Sequence, residues 1–405
     1  MSIWESLRPS SGRSAAVATG LLLIASHAAM AAPPPSSNSY VQTNLVSDLA
    51  GVAATTDPNL INPWGISASS GAMGSPMWVA DNGNGLSTLY TGAGAVLSLV
   101  VTIPPPAGGM GPAAPTGTVF NTTTQFLVNG NPAKFLFSTE DGTISGWNGG
   151  TAAVLEVDNS SSHAVYKGLA LGADANGPLL YATNFNAGTV DIFDGTFTQV
   201  NGPGDFSDWA LPRGYAPFGI MTLPNNHVIV TFALQDAAMH DDVAGYGHGF
   251  VDEFDADGFL VRRLISGGEL DSPWGLAIAP PDWGGFGGAL LVGNFGDGRI
   301  NAYSLATYGL YADEPQLRSS IQGGLEDSFF FPGFGGSRFL GTLRDPDGHP
   351  LTNLGLWALH FGSGSPNGGD TTSLYFTAGI PGSLGTLDVL ENHGLFGVIN
   401  PSVAP

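Results

Sequence analysis

Apolar residues along this chain fall in short runs that return at a near-constant interval, and each return is worded alike. A Gly-centred opener comes first: Pro63-Trp64-Gly65-Ile66, Pro115-Thr116-Gly117-Thr118, Gly168-Leu169-Ala170-Leu171, Pro217-Phe218-Gly219-Ile220, Pro273-Trp274-Gly275-Leu276 and Gly355-Leu356-Trp357-Ala358. A β-branched and aromatic run follows, such as Met77-Trp78-Val79-Ala80 or Leu179-Leu180-Tyr181-Ala182. A third run alternates apolar and polar residues, as in Thr189-Val190-Asp191-Ile192-Phe193-Asp194, the pattern of a strand with one buried face. Between second and third runs sit pairs such as Asp141-Gly142 and Asp297-Gly298, which tolerate positive φ and close tight hairpins. Pro63 to Pro115 is 52 residues, Gly168 to Gly219 is 51, and Pro217 to Pro273 is 56. A period of this size marks a repeat architecture.

Most repeats carry a fourth run: Val96 to Ile103, Val154 to Val157, Leu260 to Ile265 and Phe339 to Leu343. The unit is a four-stranded antiparallel meander, which is a propeller blade. Six units predict an all-β, six-bladed β-propeller. The last repeat runs out after its third strand, at Ile399. Residues 39–46, which alternate well, are expected to supply the missing outer strand and leave no open ring edge. Pro273 to Gly355 is 82 residues, longer than one blade needs. The surplus, at about 305–337, includes Phe329-Phe330-Phe331 and Phe334 and reads as an excursion between the third and fourth strands of blade five. It is either a loop over the blade rim or a partner-contact patch.

Composition then sets limits. The 405 residues include 60 Gly and 29 Pro, with 43% hydrophobic, which suits one large all-β domain. Arg8 and Arg13 precede an apolar stretch from Ala15 to Ala28, followed by Ala29-Met30-Ala31-Ala32. A basic region, a short apolar core and an Ala-x-Ala site predict a signal peptide over residues 1–31. The other reading, a retained anchor, suffers from an apolar run that is short for a membrane span. Residues 32–38 then form a disordered leader, 39–400 the propeller and 401–405 a tail. Losing residues 1–31 leaves 9 basic and 32 acidic side chains, a net charge of −23. Such a surface repels nucleic acid and anionic lipid, so neither is an expected partner. Cysteine is absent, so an exported chain of this kind rests on its core and on ring closure.

Several phrases carry a family resemblance: Asn62-Pro63-Trp64-Gly65, Trp78-Val79-Ala80-Asp81-Asn82-Gly83, Thr139-Glu140-Asp141-Gly142-Thr143-Ile144-Ser145-Gly146-Trp147, His240-Asp241-Asp242-Val243 and Gly293-Asn294-Phe295-Gly296-Asp297-Gly298. From about Asn44 to Gly397 the chain resembles an uncharacterised family of secreted bacterial proteins. More broadly it is similar to NHL-type propellers and, more distantly, to gluconolactonase and streptogramin-lyase propellers. The resemblance implies export and a propeller fold, and no established activity. The excursion at 305–337 departs from the pattern.

In a propeller the loops before each first strand and between second and third strands share one face around the axis. Here those loops hold Asn62, Asp81, Asn82, Glu140, Asp141, Asn184, Asn186, Asn294 and Asp297. Asp81, Asn82, Glu140, Asp141, Asn184 and Asn294 are therefore the candidate ligand-binding set. Such a ring of oxygens suits Ca²⁺ or another hard divalent cation, and it equally suits turns that cap their own backbone. The long blade-four loop from Gln235 to Gly249 adds Asp236, His240, Asp241, Asp242 and His248. Asp236, His240, Asp241 and Asp242 form the candidate metal set, because carboxylates with imidazole suit a transition ion and carboxylates alone suit Ca²⁺. The alternative is a solvated loop folded over the channel mouth. Asp255-Ala256-Asp257-Gly258 starts like a calcium loop but lacks the downstream Glu. No catalytic residue emerges from a complete motif. Three readings follow: a module binding a protein or small-molecule ligand through an acidic, Asn-rich face; a metal-dependent lactonase- or lyase-like enzyme with His240 or an acid as general base; or an extracellular structural protein.

Overall fold

The computed structural model describes residues 39–71, 74–305, 336–382 and 390–402. The segments read as signal peptide and leader, most of the blade-five excursion and the end of the tail lie outside these residues.

Each opener forms a first strand because its apolar residues face neighbours on both sides. Blade one runs outward through Pro63–Ser67, Met77–Asp81, Leu86–Tyr90 and Val101–Thr102. Blade two runs through Pro115–Phe120, Phe135–Thr139, Thr143–Trp147 and Val154–Asp158. Blade three is Tyr166–Asp174, Gly177–Asn184, Thr189–Asp194 and Gln199–Val200. Blade four is Tyr215–Thr222, Val228–Leu234, Phe250–Phe254 and Leu260–Ser266. Blade five is Pro273–Ile278, Leu290–Asn294, Ile300–Tyr303 and Phe339–Thr342, so the excursion leaves between its third and fourth strands. Blade six is Leu356–Phe361, Leu374–Ile380 and His393–Pro401, with Tyr40–Ser47 as its fourth strand. That last pairing is antiparallel, from Tyr40 opposite Pro401 to Ser47 opposite Leu395. The protein is thus a six-bladed β-propeller closed by its N-terminal strand.

First strands pack against one another in sequence, and that of blade six meets that of blade one, so they ring the axis. The openers need glycine because the next blade passes so close. A Cβ on Gly219 would lie 2.1 Å from the Trp274 carbonyl oxygen, and one on Gly275 would lie 2.5 Å from that of Trp357. Second-strand hydroxyls latch the same seams: Thr183 Oγ1 donates to Phe218 O (2.7 Å), Thr231 to Pro273 O (2.6 Å) and Thr377 to Trp64 O (2.5 Å). Apolar clusters fill the wedges between blades, as with Trp78, Phe135, Phe137 and Trp147 between blades one and two.

Three details were not in the sequence pattern. The outer strands of blades one and three shrink to two residues each, Val101–Thr102 and Gln199–Val200. In blade one Pro104-Pro105-Pro106 follows at once and cannot donate to a ladder. Blade two carries an extra hairpin, Leu127–Val128 with Asn131–Pro132. Thr55–Thr56 adds a short parallel strand outside Tyr40–Ser47.

Candidate functional site

The residue before the opener glycine points to the axis. In blades one, four, five and six this position, or its counterpart, is aromatic: Trp64, Phe218, Trp274 and Trp357. Trp64 stacks on Trp357 with centroids 3.4 Å apart, and Trp274 meets both edge-on at 6.0 and 5.7 Å. These rings plug the channel. In blade three the position is Lys167, one of only two lysines in the chain. Its side chain is 2% exposed. The ammonium lies 5.2 Å from the Trp64 ring centroid and 5.8 Å from that of Phe185, and Trp274 Nε1 donates to the Lys167 carbonyl oxygen (2.9 Å).

Lys167 Nζ is paired with Glu140 Oε1 and reaches Asp241 Oδ1 at 3.3 Å. Glu140 follows the second strand of blade two. Asp241 arrives on the long blade-four loop, which Asp236 shapes by accepting from His240 N (2.9 Å) and Asp241 N (3.3 Å). Gln235 Nε2 ties the loop base to Phe185 O (2.5 Å), so the loop crosses the end of blade three toward blade two. His240 Nδ1 bonds Asp241 Oδ1 at 2.9 Å. From the other side, Asn82 Nδ2 donates to Glu140 Oε2 (2.8 Å), and Asn62 Nδ2 donates to Asn82 Oδ1 and Glu391 Oε1, both at 3.2 Å. Four blades and one loop therefore share one polar network above the aromatic plug. A cleft of about 670 Å³ opens beside it, lined by Glu140, Asp141, His163, Asp236, His240 and Asp241.

The electrostatics follow from burial and pairing. Burial alone would lower the Lys167 ammonium, but the Glu140 carboxylate, with Asp241 behind it, holds it above the ordinary lysine value. The bond to His240 pulls Asp241 down to about 2, and the same bond raises His240 against burial. Burial pushes Glu391 up to about 7, helped by the charge of Glu140. Burial likewise raises Asp242 to about 6.

Of the residues singled out from sequence, Asn82, Glu140, His240 and Asp241 meet here, and Asp141 and Asp236 line the cleft. Four others do not face it. Asp81 is buried within blade one beside Tyr90 and Asp57, and burial raises its carboxyl well above the usual range. Asn184 closes its own hairpin, with Nδ2 on Asp191 Oδ2 (3.0 Å) and Oδ1 taken by Val165 N (3.2 Å). Asn294 does the same in blade five through Glu269 O (2.8 Å) and Asp297 Oδ1 (3.0 Å). Asp242 turns inward, where the strand-like bridge between Gln235 and Asp242 buries it beneath the loop. Lys167 and Glu391 were not foreseen. The signal for Lys167 was a lone lysine in a column of aromatic openers.

Glu140, His240 and Asp241 each offer a ligand atom within 4.8 Å of the others, the spacing of a metal site. The Lys167 ammonium already holds both carboxylates, however, so a dication must approach from the outer side, through His240 and the second oxygen of Asp241. Among the described residues nothing bonds that oxygen, and the Asp241 side chain is 68% exposed.

A plugged six-bladed propeller with an ion-paired acidic cleft at one mouth is the class this chain defines. It belongs to the family of an uncharacterized protein of Acanthamoeba polyphaga mimivirus, to which it is 32% identical over 273 residues, 64% of this chain and 70% of that protein. A second uncharacterized protein of the same virus is 34% identical over 273 residues; the chain spans 65% of that relative's length and the match takes up 64% of this chain. These relatives are viral, whereas the resemblance drawn from sequence pointed to bacterial proteins. No family model matches. Similar solved structures include a Penicillium chrysogenum α-L-arabinanase bound to arabinobiose (11% identity, 89% of this chain and 98% of that chain, TM-score 0.48). Another is virginiamycin B lyase from Staphylococcus aureus (11% identity, 89% and 99%, TM-score 0.40). At these identities and scores the likeness carries nothing about activity.

Proposed function

We propose that this protein is an exported propeller that binds a positively charged ligand in the acidic cleft, with His240 and Asp241 as contact groups and Glu140 behind them. The observation that carries this is Lys167, an ion-paired lysine buried where four other blades place an aromatic ring. Stability alone does not call for it, since apolar residues at a buried ion-pair position serve a fold as well or better. Lys167 instead orients Glu140 and Asp241, and the free edge of Asp241 and the outer nitrogen of His240 face the ligand. The cleft is lined by four carboxylates and two imidazoles, which favours a cation. A divalent ion such as Ca²⁺ or Zn²⁺ and an organic polyamine both fit that description.

Calorimetric titration of the mature chain with Ca²⁺, Zn²⁺ and spermidine tests the reading. Saturable binding of at least one of them is expected, weakened about tenfold in Asp241→Asn, the worth of one charge-assisted hydrogen bond. Binding of none, or binding that Asp241→Asn leaves unchanged, overturns it. Export is tested separately: the secreted protein should begin at Ala32, following the Ala29-Met30-Ala31 site.

One observation favours a second reading. The His240–Asp241 bond leaves the outer imidazole nitrogen as a base, and Glu391, at about 7, shares the network as a proton donor. This is the equipment of a lactonase- or lyase-like enzyme. Turnover of simple lactones that disappears in His240→Gln would support it, and an inert wild type would remove it.

A further inference from the structure

Beneath the aromatic plug the channel does not continue as a polar pore. It forms a cavity of about 490 Å³ whose floor includes Trp274 and whose walls come from the first strands of all six blades. Ile66, Leu169, Ile220, Leu276 and Leu359 supply most of that wall. Among the described residues no Asp, Glu, Lys or Arg lines it, in a chain whose net charge is −22. Thr118, Thr122, Thr222 and His360 bring polar side chains to a lining that is otherwise mostly apolar. Thr222 Oγ1 and His360 Nδ1 lie just beneath this surface, and among the described residues Thr222 Oγ1 meets no hydrogen-bond partner, while the His360 ring has at most a weak contact with the Phe361 backbone. The imidazole is uncharged at neutral pH, because burial lowers it to about 4.

We infer that this blind end of the channel is a second binding site, separate from the acidic cleft, for a neutral and largely apolar small molecule bearing a hydroxyl or carbonyl group. The volume suits a small-molecule site, where ~300–1,000 Å³ is typical. Buried polar atoms without partners are unfavourable unless something hydrogen-bonds them, and one neutral oxygen reaching Thr222 or His360 would do so. An anion finds no cation on the wall and a strongly negative protein around it. A cation finds no carboxylate.

The test uses Nile red, a neutral apolar dye, with 1-octanol and octanoate as competitors against the mature chain. Saturable binding at one site per chain is expected, displaced by 1-octanol and not by octanoate. Ile278→Arg, which places a charge at the half-buried rim, should weaken the dye at least roughly tenfold, while Asp241→Asn in the acidic cleft leaves it unchanged. Should Ile278→Arg lower the melting temperature, Thr222→Val keeps the shape and removes only the hydroxyl. It is expected to raise the 1-octanol concentration needed for displacement severalfold. Absence of saturable dye binding overturns the proposal. So does displacement by octanoate as readily as by octanol, or loss of binding in Asp241→Asn. Full retention of dye and octanol binding in a normally folded Ile278→Arg or Thr222→Val overturns it too.

Discussion

Replacing Lys167 by methionine keeps the length of the stem and removes the ammonium. Glu140, whose side chain is 12% exposed, then faces the plug without a cation. Breaking a buried pair by removing one partner costs ~3–5 kcal/mol, whereas replacing both partners by neutral groups is often neutral. Asp241 adds little to this balance, because its side chain is 68% exposed and water screens it. Lys167→Met should therefore be destabilised by about 3 kcal/mol or more, and Lys167→Met with Glu140→Gln should return to within about 1 kcal/mol of wild type. The coupling between the two sites is then on the order of 3 kcal/mol, well outside ordinary additivity. Protonation relieves an orphaned carboxylate, so the single variant should recover in acid and show its full deficit at about pH 8. Urea denaturation of the wild type, both single variants and the double variant, followed by near-ultraviolet circular dichroism, measures every term. Additive effects, or a Lys167→Met protein as stable as wild type at about pH 8, would refute a buried, mutually dependent pair. A double variant that folds normally yet no longer binds cations would assign the Lys167–Glu140 pair to the site rather than to the fold.

Removing Tyr40–Ser47 exposes the His393–Pro401 edge and forfeits the burial of Tyr40 and Val46, both fully buried in the intact ring, for a loss of ~3–6 kcal/mol or more; a shortened chain that melts like the intact one contradicts ring closure by this strand. Gly219→Ala forces a methyl against the Trp274 carbonyl oxygen and should cost ~1–3 kcal/mol or more, read as a lower urea midpoint; an unchanged midpoint means the seam is looser than the structure shows. Glu391 has its folded carboxyl raised from 4.5 to about 7, so the folded state holds a proton that the unfolded state releases, and stability falls as pH rises through that interval. Glu391→Gln should match wild type near the lower limit and exceed it by ~2–3 kcal/mol above the upper one; parallel stability curves would show that Glu391 is not held this way.

The propeller was legible because its constraints are local. Glycine before an apolar residue, a hairpin pair after a strand and a fixed interval all follow from backbone geometry within one blade. Ring closure was legible as well, since a last repeat ending at Ile399 lacked a strand that residues 39–46 could supply. The site was legible only in part. Glu140, His240 and Asp241 sit in loops that the topology sends to one face, so their meeting followed from strand order. Asp81 looked equivalent to Glu140, yet it belongs to the strand Met77–Asp81 and is buried with it. One position of register decides between cleft and core, and composition does not encode it. Lys167 was hidden because its partners come from blade two and the blade-four loop, contacts that no local pattern carries. Glu391 escaped because its loop in blade six lacks the acid–glycine pair that marks the hairpins of blades two and five.

Pairing Tyr40–Ser47 with His393–Pro401 brings together parts of the chain separated by almost its whole length, as the hydroxyls of Ser39 and Ser402, 363 positions apart, show by touching. Blades one to five are each contiguous in sequence and form from neighbouring hairpins as the chain emerges. Blade six must wait for both ends. Until they meet, His393–Pro401 offers an unpaired edge, and the wedge formed by Tyr90, Tyr375 and Phe396 stays open to water. Closure over so long a separation is slow, and species that expose such edges aggregate. The order of synthesis therefore makes blade six the last to form, and changes there should govern how fast and how cleanly the protein matures, while changes in blade three mainly alter how readily the finished ring comes apart.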